Sequence, residues 1–284
     1  KDLAVTLDAD LQQVAAEALG ERGGAVAAID PKSGAVRVLY SAPSFDPELF
    51  SGKLSTEDWN HLAEDPRLPL QDRCLQGTYP PGSTIKPFLA LAALQEGLIT
   101  PDWTVYCSGG MVLYGHRFRC WRRGGHGKVD LARSLEASCD VYYYQLGQRL
   151  GIEKMAGWLE TFGLGRRTGI GLPSEASGLI GDPEWSLRVR GTPWYPGEAV
   201  SVSIGQGPVL TTAIQLARAF AALANGGRLV TPHVVVNPEG VADVDLDLNP
   251  SQLERIKHGL ELVVHGDRGT ARSLAPLPVA GKTG

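Results

Sequence analysis

The chain opens on a helical pattern. From Asp8 the apolar positions Leu11, Val14, Ala15, Ala18 and Leu19 recur at helical spacing, which predicts one buried face. Gly23 and Gly24 end that segment. Residues 25–29 and 35–40 are apolar runs joined by Asp30-Pro31-Lys32-Ser33-Gly34, a turn-forming sequence, and together predict a β-hairpin. Residues 41–79 are rich in Pro, Asp and Ser and predict a long irregular stretch that lines a site or makes a surface excursion.

Tyr79-Pro80-Pro81-Gly82 is rigid and leads into a predicted helix over 83–96. Ile85, Leu89, Ala92 and Ala93 share one face of it, Pro87 falls near the first turn where its missing N–H costs least, and Gly97 suits the C-cap. Further helices are predicted over 130–137, 141–150 and 152–162. Another runs over 213–224, opened by the capping box Thr212/Gln215, and one over 252–265 follows Asn249-Pro250. Residues 279–282 read as the beginning of a strand whose natural neighbour is the early hairpin. The order predicts an α/β (α+β) domain with an antiparallel sheet built from both chain ends and flanked by helices. Residues 1–80 and 200–284 form its sheet-containing part, and 81–199 an inserted, mostly helical subdomain.

Composition narrows the class. The 284 residues suffice for a proper core, and 43% hydrophobic with 20% charged content is ordinary for a globular protein. A net charge of −4 argues against nucleic acid as the main partner, which wants a basic face. No run of about 18 apolar residues is present, and no signal segment opens the sequence.

Three short motifs carry candidate chemistry. Ser83 and Lys86, three apart at a helix start, share a face, and a neutral lysine there takes the serine proton. Alone, such a pair is as easily solvated surface. Ser138-Cys139-Asp140 falls between two predicted helices, where Asp140 alternatively caps the second. Lys282-Thr283-Gly284 offers a cation, a hydroxyl and an open backbone edge, which suits a peptide carboxylate. A phosphate-binding loop fails there, because Pro276 stands where the leading glycine belongs and no helix follows.

Ser-x-x-Lys, Ser-x-Asp and Lys-Thr-Gly in this order resemble the penicillin-binding proteins and serine β-lactamases. Leu7–Gln12, Tyr79–Pro87, Gly125-His126-Gly127, Trp194–Glu198 and Ile204–Gly207 are similar to the elongation-type, protein 2 branch of the class B penicillin-binding proteins, and the similarity runs from Leu7 to Gly284. Asp140 departs from the Asn that most of the family carries there, but is similar to that branch. The resemblance implies a peptidoglycan D,D-transpeptidase of cell-wall elongation that β-lactams acylate. Ser83 is then the nucleophile, Lys86 the base, Ser138 the relay and Asp140 its orienting partner. Lys282 and Thr283, with Gly284, hold the stem-peptide carboxylate, and the second ammonium helps keep Lys86 neutral. It also implies a polytopic glycosyltransferase as partner and a periplasmic domain on a single-pass inner-membrane anchor. The anchor and a pedestal domain, the second oxyanion donor and the closing strands and helix of the family are expected outside these residues. A non-turnover β-lactam sensor and, with less support because no Glu-x-x-Leu-Asn segment occurs, a serine β-lactamase are the alternatives.

Cys107, Cys120, His126 and Cys139 form a Cys3His set suited to structural zinc. Cys139 lies inside the middle motif, so a metal there pins the loop that carries Ser138 and Asp140. A Cys107–Cys120 disulfide or buried free thiols are the other readings, and Cys74 has no partner in any of them.

Overall fold

The first helix and the hairpin form where the apolar pattern puts them, but the predicted face of the helix is not buried: Ala15 alone is, while Leu11, Val14 and Ala18 stay exposed. In the computed structural model, which describes residues 2–236, 238 and 242–284, Asp8 caps α1 (Ala9–Leu19) by accepting from the Leu11 N–H at 3.1 Å. Strands β1 (Gly24–Ile29) and β2 (Val36–Ala42) pair antiparallel. Asp30 holds the turn between them by accepting from the Lys32 and Ser33 N–H groups. Single bridges from Val5 to Val235 and from Ala35 to His233 bring a later part of the chain onto this hairpin.

The 41–79 stretch is less irregular than its composition suggests. It contains α2 (Thr56–Glu64), capped by Ser55, which accepts from the Asp58 N–H at 3.0 Å. Leu62 is the one buried residue of α2, so the segment carries no apolar stripe to betray it.

Helix α3 (Lys86–Gln95) is the centre of the molecule. Every residue from Lys86 to Leu94 is buried, as a helix apolar all round requires. Four short strands follow: β3 (Val105–Cys107), β4 (Gly110–Leu113), β5 (His116–Arg119) and β6 (Gly127–Val129), paired β3 with β6 and β4 with β5. Strands of three or four residues are too short to display alternation, which is why the sequence pattern shows only helices here. Helix α4 (Leu131–Glu136) is capped by Asp130. Helix α5 (Asp140–Thr161) is interrupted at Gly151, φ 73°, which accounts for the two predicted helices over 141–150 and 152–162.

Beyond α5 come β7 (Leu179–Ile180), α6 (Pro183–Trp185), α7 (Pro196–Val202), β8 (Val209–Leu210) paired with β7, and α8 (Ala213–Ala224). The α8 capping box is present, with Thr212 and Gln215 exchanging backbone-to-side-chain bonds at 3.3 Å. Strands β9 (Arg228–Leu229) and β10 (Val244–Asp245) pair, and α9 (Pro250–His265) starts at Asn249, whose carboxamide accepts from the Ser251 and Gln252 N–H groups. Helix α3 packs on α5 and α9, and α4 lies along α9. Phe88 of α3 sits between Phe162 and Phe220, with ring centroids 4.9 and 5.2 Å away.

One expectation is corrected. Residues 279–282 form no strand with the hairpin: the Gly281 N–H donates to Leu260 O at 3.2 Å and the Val279 carbonyl meets His265 Nε2 at 3.0 Å. The segment lies beside α8 and α9, neither of which offers a strand edge.

Candidate active site

Pro80 and Pro81 deliver the chain into a 3-10 turn, Gly82–Ile85, that runs straight into α3. The turn is held from outside, since the Gly82 N–H donates to Gly205 O at 3.0 Å. Gly205 has φ 74°, and a Cβ on it would stand 2.1 Å from the Gly82 carbonyl oxygen, so only glycine lets the two segments pass this close. Ser83, second in the turn, opens on the site cavity. Its N–H belongs to the first turn of a helix, where backbone donors lack intrahelical acceptors and a developing anion is stabilised.

Lys86 is fully buried. Its Nζ donates to Asp140 Oδ1 at 2.7 Å, Ser138 O at 3.0 Å and Ser138 Oγ at 3.2 Å, one acceptor for each ammonium proton. Among the described residues no hydrogen bond joins it to the Ser83 hydroxyl; the amine is directed at the 138–140 turn. Hydrogen bonds of this kind commonly tighten only when substrate arrives. Burial pushes Lys86 below the ordinary lysine range, and the Asp140 carboxylate opposes that shift.

Ser138 sits between α4 and α5 at φ 50°, a left-handed conformation uncommon for a residue with a side chain. Its carbonyl accepts from Lys86 and also from the Trp121 indole N–H at 3.1 Å. The helix-capping reading of Asp140 does not hold. Cys139 takes the cap position with no side-chain bond, and the Asp140 carboxylate turns inward to Lys86 and to the Trp121 N–H, 2.9 Å from Oδ2. Trp121 therefore secures both ends of the motif. The sequence singles it out only as the neighbour of Cys120.

Lys282 Nζ donates to Ser138 Oγ and to Thr283 O, both at 2.9 Å. Ser138 Oγ thus lies between the two lysine head groups. Burial lowers Lys282 to about 7, the positive charge of Lys86 adds to the shift, and Asp140 opposes it. Thr283 Oγ1 lies 2.7 Å from Thr270 Oγ1, on the turn after α9.

Ser83, Ser138, Asp140, Thr270, Thr283 and Gly284 line one cavity of 320 Å³, walled by Trp121, Ile204 and Gln206. Thr270 has no signal in the sequence beyond being a polar residue after a helix. A larger cavity of 490 Å³ lies between the hairpin and Pro80-Pro81, but Arg73 is its one charged lining residue. Ser83 shares the smaller one with Ser138, Asp140 and Thr283, and Lys86 and Lys282 both reach the Ser138 hydroxyl, an arrangement suited to acyl transfer.

The predicted thiol set also converges. Cys107 ends β3, Cys120 follows β5, His126 precedes β6 and Cys139 caps α5; their ligand atoms lie within 4.8 Å of one another, and all four residues are buried. Gly125, φ 75°, closes the turn, since a Cβ there would meet Cys107 O at 2.1 Å. No disulfide joins the cysteines. His126 Nδ1 stands 3.5 Å from Cys120 Sγ and 3.6 Å from Cys107 Sγ. That is the S···N edge, about 3.6 Å, of a tetrahedron with zinc's bond lengths. The residues fit the ion. The hydrogen bond with Cys139 holds the Cys120 thiol well below its usual range, while Cys139 is pushed up. Cys74 lies elsewhere, its Sγ on Tyr40 O at 3.2 Å.

A mixed α and β domain with a helix-start serine and, three residues on, a buried lysine bonded to a Ser-x-Asp turn defines the penicillin-binding type of domain. The chain belongs to the penicillin-binding protein transpeptidase domain family, whose description matches residues 24–284. It is similar to the peptidoglycan D,D-transpeptidase MrdA of Acinetobacter baumannii, 41% identical over 100% of this chain and 44% of that protein. It is also similar to Pseudomonas aeruginosa PBP2 in complex with WCK 5153, with TM-score 0.92 and 39% identity over 97% of this chain and 62% of that one. A third likeness, TM-score 0.91 and 35% identity over 100% of this chain and 52% of the other, is to a structure described as the structural coordination of polymerization and crosslinking by a peptidoglycan synthase complex. The chain spans about half the length of the curated relatives it matches.

Proposed function

We propose that this domain is a peptidoglycan D,D-transpeptidase acting through a Ser83 acyl-enzyme and blocked by β-lactams. The observation that carries this reading is the hydrogen-bonded set Lys86, Ser138, Asp140 and Lys282, which shares one cavity with Ser83 and Thr283. Ser83 Oγ attacks the carbonyl carbon between the two terminal D-alanines of a stem peptide, and its proton passes to neutral Lys86. As the C–N bond breaks, that proton travels through Ser138 Oγ, bonded by both lysines, to the departing D-alanine amine. An amine from a second stem then attacks the ester, returns a proton through the same groups to Ser83 Oγ, and leaves a cross-link. Lys282 and Thr283 hold the terminal carboxylate, with the Ser83 N–H facing the developing oxyanion.

Cys107, Cys120, His126 and Cys139 hold a structural zinc in this reading, which pins the turn between α4 and α5 and takes no part in the chemistry. No helix of the described residues is long and apolar enough to cross a membrane. The resemblance supports an extracytoplasmic domain of an inner-membrane protein working beside a polytopic glycosyltransferase, in keeping with the polymerization and crosslinking complex among the similar structures.

Fluorescent penicillin tests the reading. Stable labelling that Ser83→Ala abolishes, with D-alanine release from a pentapeptide donor, is the expected result. Rapid loss of label marks a hydrolase, and stable label without D-alanine release marks a sensor; either overturns it.

A further inference from the structure

Glu136, the last residue of α4, is a buried carboxylate that the acyl-transfer steps do not use. It ion-pairs with Arg133 at 3.7 Å, and its Oε1 accepts from the Arg268 N–H at 2.8 Å. A Cβ on Gly266 would lie 2.4 Å from that oxygen, so the turn after α9 is pressed directly against the carboxylate. The Gly269 N–H donates to Gly266 O at 3.1 Å and the Ala271 N–H to Val263 O at 2.9 Å. Thr270 is fixed between those two anchored neighbours, with its hydroxyl 2.7 Å from that of Thr283 and facing the same cavity. Helix α4 leads on directly to Ser138, so one short helix places both the relay hydroxyl and Thr270.

We infer that Thr270 is a specificity-determining residue: it holds the Thr283 hydroxyl in the orientation that favours ligands ending in a free carboxylate. Two hydroxyls in contact share one proton between them and leave the other free. The half-buried Lys282 ammonium stands beside the pair, bonded to Thr283 O, so the free proton and the cation face the same anion. Without Thr270, Thr283 keeps its hydroxyl and loses the partner that sets its direction. The inference rests on the carboxylate-binding part of the proposed function.

The test compares Thr270→Val and Thr270→Ser with the unchanged protein, using benzylpenicillin and its methyl ester as probes. The valine variant is expected to lower the acylation rate constant for benzylpenicillin about tenfold, the usual weight of a hydrogen bond to a charged group. The ester should change less than about twofold, and serine should restore the acid to within about twofold. The ratio of acid to ester is read within one protein, so a general folding defect does not mimic it. A second arm measures reversible binding of acetyl-D-alanyl-D-alanine and its C-terminal amide to Ser83→Ala protein, with and without Thr270→Val. Preference for the acid that valine erases supports the role of Thr270 even if no acyl-enzyme forms, a result that would sink the proposed reaction alone. Equal losses for acid and ester, failure of serine to restore, or no acid preference in the Ser83→Ala protein overturns it.

Discussion

Two buried polar clusters lie back to back across the 138–140 turn, and they are satisfied in opposite ways. Ser138 and Asp140 turn to Lys86, while Cys139 between them joins Cys107, Cys120 and His126. In the lysine cluster each ammonium proton of Lys86 has an acceptor within 3.2 Å, so the polar groups close on one another. The thiol cluster does not close. Its contacts are 3.5 and 3.6 Å from sulfur to His126 Nδ1, and His126 Nε2 is buried without a partner among the described residues. Three thiols and an imidazole that converge at such long contacts are a donor set that fits a tetrahedral zinc ion. In the proposed function the first cluster carries protons, and the second clamps the turn that the two share.

The largest expected effect comes from removing the hub of the network. Lys86→Met should lower penicillin acylation by about 10²–10⁴-fold, the range for loss of a general base. It also leaves Asp140 buried beside an apolar side chain, costing about 3–5 kcal/mol of stability. Metal content should stay unchanged. Acylation kinetics on the folded fraction, with zinc measured on the same sample, check this; loss of zinc would mean the two clusters are not separate units.

Attacking the clamp is the converse experiment. Cys120→Ser, or chelation of the unchanged protein, should remove about one zinc per chain and about 4 kcal/mol of stability, as for an ion present at a thousand times its dissociation constant. Acylation should fall with it, because the turn bearing Ser138 and Asp140 is no longer pinned. Cys74→Ala, in the separate cluster beneath the hairpin, should leave zinc content alone. A thermal midpoint that chelator does not move would end the metal reading.

Asp140→Asn is milder. Asparagine keeps one oxygen for Lys86 but presents an NH2 to the Trp121 N–H where Oδ2 now accepts. A donor facing a donor costs about 1–3 kcal/mol. Thermal unfolding of Asp140→Asn beside Asp140→Asn/Trp121→Pro, which lacks that N–H, shows whether the clash is the cause: coupling near zero would say it is not.

How far the two clusters were legible follows from their chemistry. Ser83, Lys86, Ser138 and Lys282 stand out by the order of their three motifs, each unspecific alone, and the Cys3His set by its residue types. The structure puts Ser83 and Ser138 on one cavity, both lysines on Ser138 Oγ, and the four metal-capable residues together. The hairpin and the longer helices follow from apolar periodicity and caps such as Asp8 and Thr212. What sequence hides is support from ordinary groups. Trp121 acts through a backbone N–H, Glu136 and Thr270 through contacts more than a hundred residues away from their partners or within a turn of no pattern. Gly205 matters only because Gly82 approaches it. Strands β3 to β6 escape because three or four residues cannot show a period, and the strand expected over 279–282 fails because a strand exists only with an edge to pair with.

The smallest effect separates the two lysines by pH. Lys282 has its folded value lowered to about 7 from 10.5 by burial first and by Lys86 second. The unfolded chain therefore holds the extra proton between about pH 7 and the ordinary lysine value, so this group's contribution to stability improves as pH climbs through that window. Its penalty is complete below about 7. Carboxylate binding has the opposite sign, since it needs the charged form. Acylation by a carboxylate-bearing β-lactam should fall about fivefold from pH 7 to pH 8 as the charge on Lys282 is lost. Lys86, lowered by burial, acts as a base and so contributes a limb that rises with pH. Lys282→Arg stays charged throughout, and should remove the falling limb while leaving the rising one. If the arginine variant shows the same fall, the limb belongs to another group, and the assignment of the carboxylate to Lys282 goes with it.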